Sequence, residues 1–286
     1  MRTKEPKEAV KFWRAPHLHN LELMQATYFD QVFARHAHDN FAIGVVEAGI
    51  GAFTYQGATQ VAPAGSIFVI NPGVVHTGGG FQGWCTYRVL YPEPALLQRV
   101  ASEAADKRRD MPFFLTAIIR DERLSRLILE LHRSLESVST ALEQESRLLW
   151  ALAQMVARHS DAGVVTARVG REHKAVRQVQ EYLEAHYAEQ VSLDQLVELT
   201  GLSAFHLTRV FGQVTGLPPH AWQTQLRVWR AKELLAQGHA IAQVALSTGF
   251  AHQSHLNKHF KRLVGVTPGQ YQRASKIVQD GQQRGL

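Results

Sequence analysis

Apolar residues at helical spacing form two copies of one pattern between residues 193 and 268. In each copy the apolar residues stand three or four positions apart on either side of a Thr-Gly pair. The first copy contains Leu193, Leu196, Thr200, Gly201, Leu202, Leu207, Arg209, Phe211, Gly216 and Pro219, and the second has Ile241, Val244, Thr248, Gly249, Phe250, Leu256, Lys258, Phe260, Gly265 and Pro268 at the matching positions, 48 or 49 residues later. Such a recurrence indicates one supersecondary unit used twice.

Each copy predicts a short helix, a tight turn and a second helix. Ser192 with Gln195 forms a capping-box sequence, Gly201 allows the turn, and Ser203 can cap the second helix. An ordinary helical hairpin has the same pattern, but two tandem copies with basic residues at matched positions favour a DNA-binding helix-turn-helix. The segment from Pro219 to Gln237 predicts a connecting helix of about 28 Å, close to one turn of DNA at roughly 34 Å.

The first part of the chain has a different period. Residues 20–91 contain short apolar runs separated by Gly, Pro and Asn, which predicts a small antiparallel barrel or sandwich. Residues 121–159 carry two apolar stripes at helical spacing, which either close the barrel or pair with a second subunit. We therefore expect an α+β protein with a barrel at 1–120, a helical connector and dimerisation segment at 121–160, a linker at 161–172 and an all-α domain with two helix-turn-helix units at 173–286.

Positive charge is concentrated on the repeated part of the chain. Residues 199–286 hold ten Lys or Arg and two acidic residues, whereas residues 1–160 hold 17 and 16. This local excess is the electrostatic pattern expected of a surface that binds phosphates.

The stretch GFAHQSHLNKHFKRLVGVTPGQY, residues 249–271, resembles the C-terminal motif of AraC/XylS-type transcription regulators. The resemblance extends over about residues 175–273, and Leu256 stands where many members carry Phe. It implies a DNA-binding domain of two helix-turn-helix units joined by one long helix, with double-stranded promoter or operator DNA as the partner. RNA polymerase and a second copy of the chain are further partners that the resemblance suggests.

Candidate DNA-binding residues are those that lie off the apolar face of each second helix. Arg suits guanine, and Gln or Asn suits adenine, because their paired polar atoms match base edges in the major groove. In the family, base contacts cluster at positions that match most of this set. The candidates are Phe205, His206, Thr208, Arg209, Gln253, Ser254, His255, Asn257, Lys258 and Lys261.

The first domain resembles the cupin-type barrel that precedes this DNA-binding domain in many members. The matching parts are His36-Ala37-His38, the Pro63-Ala64-Gly65 turn and the segment from Pro72 to His76. In catalytic cupins such histidines hold a metal together with an acid, but residues 40–43 contain no acid. We therefore expect no metal and no cofactor, and assign His36, His38, His76, Trp84 and Tyr87 to binding a small-molecule effector.

These features predict a sequence-specific transcription regulator, controlled by a small molecule in the barrel, and not an enzyme. The alternatives are a cupin-type metalloenzyme fused to a DNA-binding domain and a constitutive DNA binder whose barrel serves only for dimerisation. The chain has no apolar run long enough to span a bilayer and no signal-peptide core, so we expect a bacterial, cytoplasmic protein without membrane contact. Cys85 is the only cysteine, which excludes an intrachain disulfide and a Cys-rich zinc site.

Overall fold

The computed structural model describes residues 7–29, 32–55, 57–105, 107–161 and 173–273. It divides into two compact units: residues 1–137 with 147–168, and residues 138–146 with 169–286. The linker predicted at 161–172 lies, apart from Asp161, outside the described residues. None of the helices in the described ranges is long and apolar enough to cross a membrane.

The first unit is built on one antiparallel sheet. Its strands are β1 (Ala9–Ala15), β2 (Leu21–Phe29), β3 (Val32–His36), β4 (Ala42–Tyr55), β5 (Ala58–Pro63), β6 (Ile67–Ile70), β7 (His76–Tyr91) and β8 (Ile118–Ile119). The hydrogen-bonded order is β1-β2-β7-β4-β6-β8, with β3 on β7 and β5 on β4. The α+β class is thus confirmed, and the long strands β4 and β7 form the centre of the sheet.

The sheet curls but does not close into the barrel predicted from the sequence. Among the described strands, β1 and β8 are the two ends of the path. β8 has only two residues before Asp121 caps the next helix by accepting from Leu124 N, so this edge offers no ladder long enough for β1. The curl arises where the β4–β7 register shifts near Gly49, whose φ is +76° and whose position leaves no room for a Cβ beside the Trp84 carbonyl.

Three helices accompany the sheet along the chain: α1 (Pro94–Ala104), α2 (Glu122–Ser134) and α3 (Ala141–His159). The first stripe predicted in the connector is confirmed for Leu124, Ile128 and Leu131, which are buried, but not for Val138, which is 56% exposed. Val138 lies after the end of α2, where the helical period no longer governs which side chains face the core.

A buried cation ties the sheet to the end of α2. The Arg88 guanidinium, on β7, donates to Glu47 Oε2 at 2.9 Å, to Glu136 Oε1 at 2.9 Å and to His132 Nδ1 at 3.0 Å. Burial, together with the charge of Arg88, lowers the pKa of His132 to about 4. His132 is therefore neutral at pH 7 and accepts the Arg88 hydrogen bond through Nδ1, while its Nε2 donates to the Met24 carbonyl at 3.2 Å.

The second unit is helical. Its helices are α4 (His173–Ala185), α5 (Leu193–Thr200), α6 (Ala204–Thr215), α7 (Pro219–Ala236), α8 (Ile241–Ser247) and α9 (Gln253–Val264), and it also contains the start of α3. The α5–α6 and α8–α9 pairs are the two repeated units. The connecting helix α7 begins at Pro219, as predicted, and Gln237 is its C-cap residue.

The turn residues predicted from the sequence act as expected in the first repeat. Ser192 and Gln195 form the capping box, Gly201 takes a φ of +68° after α5, and Ser203 accepts from His206 N at the start of α6. In the second repeat, Gly249 has a φ of +82° and packs against the Ala188 backbone, while His252 takes the capping place of serine. One core joins α7 to the second repeat and contains Val228, Ala231, Leu235, Val244, Ala245, Phe250, Leu256 and Phe260.

Replacing Arg88 tests the role of the buried cation. Arg88→Met removes the buried partner of Glu47 and Glu136, which keep only the more exposed Arg133 and Lys11, and leaves His132 Nδ1 without its donor. We therefore expect the free energy of unfolding to fall by about 2 kcal/mol. Arg126→Met is the control, because Arg126 and its partner Glu122 are exposed and such pairs contribute about 1 kcal/mol or less. Urea denaturation followed by circular dichroism measures both, and equal losses in the two variants would contradict the assignment.

Candidate nucleic-acid interface and ligand pocket

A pocket of about 130 Å³ lies within the curled sheet of the first unit. Most of its wall is apolar, and three histidines and two tyrosines add polar atoms. The lining side chains include Met24, His36, His38, Phe53, Phe68, His76, Tyr87, Val89 and Tyr91. An apolar cavity with a few convergent polar groups is the usual form of a small-molecule site.

The three predicted histidines come together at this pocket. The ring centroid of His76 lies 4.3 Å from that of His36 and 4.9 Å from that of His38. Each Nδ1 faces a backbone carbonyl: Ala34 O for His36 at 2.9 Å, Asn40 O for His38 at 2.6 Å and Val74 O for His76 at 3.0 Å. A carbonyl can only accept, so Nδ1 carries the proton in each ring, and Nε2 of the neutral imidazole is an acceptor.

The titration behaviour of the pocket follows from burial. Burial lowers the pKa of His76 and raises the pKa of Tyr91 to about 12. It raises the pKa of Tyr87 as well. At pH 7 His76 is therefore neutral and both phenols keep their protons, so these groups offer hydrogen bonds and no charge.

Trp84 is the one predicted effector residue that does not line the pocket. Successive side chains of a strand point to opposite faces, and Cys85, Tyr87, Val89 and Tyr91 of β7 are the ones that line the pocket. Trp84 therefore lies on the other face. The same alternation identifies Val89, which the sequence analysis did not assign to the site, and it places Tyr91 beside it in the pocket lining.

In the second unit, α9 presents a polar face to solvent. Gln253, Ser254, Lys258 and Lys261 are exposed, and Asn257 is half-buried. These positions share one side of the helix, because residues three and four apart lie next to each other. The face carries two cations and two side chains able to pair with adenine, which suits it to a major groove.

The matching face of α6 is buried in this structure, contrary to the sequence analysis. Phe205 is 3% exposed, Thr208 1% and Arg209 4%, and His206 is half-buried. The Thr208 hydroxyl donates to the Ala204 carbonyl at 2.8 Å, within the helix. Positions off the apolar face of a helix are exposed only if no other part of the protein packs against them. Any base contact from Phe205, Thr208 or Arg209 therefore requires the groups packed against them to move.

His255 is also buried, at 8% exposure, although it was predicted to contact DNA. Its ring stands edge-on to Phe250, with 5.3 Å between centroids, and to His259, with 4.8 Å. It faces away from Gln253, because two residues correspond to about 200° around the helix.

Comparison with known proteins identifies two domains in this chain. Residues 18–152 match the model of the AraC-like ligand binding domain, and residues 196–274 match a helix-turn-helix domain. The HTH-type transcriptional regulator YbfI of Bacillus subtilis is 33% identical over 84% of this chain and 87% of its own length. The chain belongs to the AraC family of transcriptional regulators.

One further relative matches along most of the chain, and one solved structure matches about a third of it. The HTH-type transcriptional activator RhaS of Salmonella schwarzengrund is 23% identical over 82% of this chain and 86% of its own. A crystal structure of a probable AraC family transcriptional regulator from Rhodopseudomonas palustris covers 36% of this chain and 97% of its own, with 30% identity and a TM-score of 0.34. The AraC-family chain described here thus combines an N-terminal ligand-binding domain with a C-terminal DNA-binding domain.

Asn257→Ala tests base reading by α9. Losing a bidentate contact with a base should weaken binding to the specific site by about 1 to 3 kcal/mol and reduce discrimination at one base pair. Binding to the preferred site and to single-base variants measures both effects. An equal loss of affinity on random DNA would contradict base reading by Asn257.

Lys261→Ala tests the phosphate side of the same helix. Removing one phosphate contact should weaken binding to all sequences alike and lower the slope of log K against log salt by about one. Titrations at several salt concentrations measure the slope. If the slope stayed unchanged while specificity dropped, Lys261 would be a base-reading residue instead.

Proposed function

We propose that this regulator binds a small uncharged or cationic effector in the pocket of the first unit and that effector binding changes its affinity for DNA. The observation that supports this is the set of three imidazoles, each with Nδ1 bonded to a carbonyl and Nε2 left as an acceptor. Three acceptors beside an apolar wall suit a ligand with an apolar body and a hydrogen-bond-donating end, such as an ammonium or hydroxyl group.

Control by the effector requires that it bind two states of the protein unequally. A coupling free energy of about 1 to 3 kcal/mol changes DNA occupancy substantially, whereas equal binding to both states changes nothing. We propose that the chain acts as a homodimer on DNA in the cytoplasm. RNA polymerase is included among the proposed partners because the relative RhaS is an activator by name.

A cupin-type metalloenzyme is the second candidate function, and the same imidazoles favour it. Histidines that ligate metals usually donate their other ring N–H to a carbonyl or carboxylate, as all three do here. We nevertheless propose a sensor and not an enzyme, because the relatives that match both domains are transcriptional regulators. Elemental analysis of the purified chain, combined with a His38→Gln variant, separates the two, since only the enzyme requires stoichiometric metal at these rings.

A thermal-shift screen of small amines, polyols and apolar alcohols tests the sensor. A ligand present at 100 times its Kd stabilises the folded state by about 2.7 kcal/mol, so a true effector should raise the melting temperature by several degrees. His38→Phe should abolish the shift, and His17→Phe, an exposed histidine outside the pocket, should leave it intact. A shift that survives in His38→Phe would place the ligand elsewhere.

Binding to genomic fragments at two salt concentrations, with and without the hits, tests the regulator. We expect enrichment of a defined site whose contacts lie about one helical turn apart. The fraction bound should change when the effector is added. Sequence-blind, salt-sensitive binding under all conditions would contradict the proposed function.

A further inference from the structure

Three buried side chains able to ligate a metal converge in the second unit. Glu143 is 8% exposed, His255 8% and His259 3%. One ligand atom from each lies within 4.8 Å of the others, and no other such group of three or more His, Cys, Asp or Glu occurs in the part of the chain that the structure describes. The cluster contains none of the pocket histidines and none of the exposed residues of α9.

Two elements hold these residues in place. His255 and His259 are four positions apart on α9, so their rings lie on one side of the helix. Glu143 stands in the first turn of α3, within residues 138–146 of the second unit, and its backbone N–H donates to Thr140 Oγ1 at 3.1 Å. A second acid of this turn, Glu145, accepts from Leu193 N at 3.0 Å, which fixes the turn against the start of α5.

The ring of His255 has one nitrogen without a hydrogen-bond partner. Its Nδ1 is buried and has no hydrogen-bond partner, although buried polar atoms are nearly always paired. A neutral imidazole with an unsatisfied nitrogen is the form that coordinates a metal ion.

We propose that Glu143, His255 and His259 bind one divalent transition-metal ion, with Zn²⁺ the best match. Two imidazole nitrogens and one carboxylate oxygen form a borderline donor set that suits Zn²⁺ better than Ca²⁺ or Mg²⁺. Bond lengths of about 2.0 to 2.2 Å are reached by side-chain shifts of an ångström or so from the observed spacing. Three protein ligands leave a fourth position for water.

Two arginines lie near the cluster, and their positive charge affects its affinity for a metal ion. The side chain of Arg227 is close enough for its charge to interact with Glu143, but its Nε and Nη2 are engaged by the carbonyls of Tyr187 at 2.7 Å and Glu189 at 2.8 Å. Arg262 Nη2 donates to His259 Nδ1 at 3.3 Å. Arg262 is exposed, so its side chain can leave when a metal changes the proton position on His259.

The ion would join the first turn of α3 to α9 on the side of that helix away from Gln253 and Asn257. Metal availability would then act on this unit separately from the effector. Metal binding by this cluster does not depend on the proposed function, and its test uses no DNA. The metal-site proposal and the proposed function can therefore fail independently.

The test is a Zn²⁺ titration of the chelator-treated full chain against a competing colorimetric chelator, with Co²⁺ absorption as a second probe. The background variant His36→Gln with His38→Gln removes competition from the pocket imidazoles. In this background we expect one Zn²⁺ per chain and visible Co²⁺ bands in the range typical of low coordination number. Glu143→Gln and His259→Gln should each lower the affinity by about 100-fold or more, since outer-shell changes alone cost about 10- to 100-fold.

His239→Gln is the matched control, because His239 is an exposed histidine of the same unit outside the cluster. It should keep full affinity. Glu143→Gln preserves the shape of the side chain, and its circular dichroism spectrum and melting temperature without metal establish that it is folded. The proposal is overturned if the background chain binds no Zn²⁺, or if Glu143→Gln, His259→Gln and His239→Gln bind it equally.

Discussion

Pairing of buried polar groups is the constraint on which both units depend. In the first unit Arg88 joins β4, β7 and the end of α2, and Asn71 joins Tyr55 to the backbone of Phe114 through three hydrogen bonds. In the second unit Arg227 is buried on α7, where burial lowers its pKa to about 10, and it binds the carbonyls that follow α4. Each of these side chains makes hydrogen bonds with polar groups that folding removes from water. The apolar core alone would leave the hydrogen-bonding capacity of those groups unsatisfied.

The same constraint explains the pocket. In each pocket histidine, Nδ1 donates to a nearby backbone carbonyl, which fixes both the orientation of the ring and its tautomer. The remaining nitrogen is then part of the binding surface and not of the scaffold. Rigid side chains with fixed tautomers lose little entropy when a ligand binds, which favours affinity for a small molecule.

The sequence predicts those parts of the fold that local rules govern. The helix-turn-helix repeats, their Gly and Ser caps and the start of α7 follow from spacing and backbone preference. Trp84 faces away from the pocket because side chains alternate along β7, and the apolar run that predicts this strand does not by itself show which of its residues face the pocket. The burial of Arg209 and His255 depends on groups distant in sequence, such as Glu143 for His255, and no periodicity within α6 or α9 encodes those contacts.

The second helices of the two repeats, α6 and α9, also begin differently. The first turn of α6 is capped by the Ser203 hydroxyl, which keeps its lone pairs throughout the physiological pH range. The first turn of α9 is capped by His252, whose Nδ1 accepts from His255 N at 3.1 Å. A histidine ring can accept through Nδ1 only when its proton is on Nε2, whereas a hydroxyl oxygen always has lone pairs with which to accept. The cap of α9 therefore depends on one tautomer of His252 and the cap of α6 does not, which makes the repeat chemically asymmetric despite its symmetric pattern.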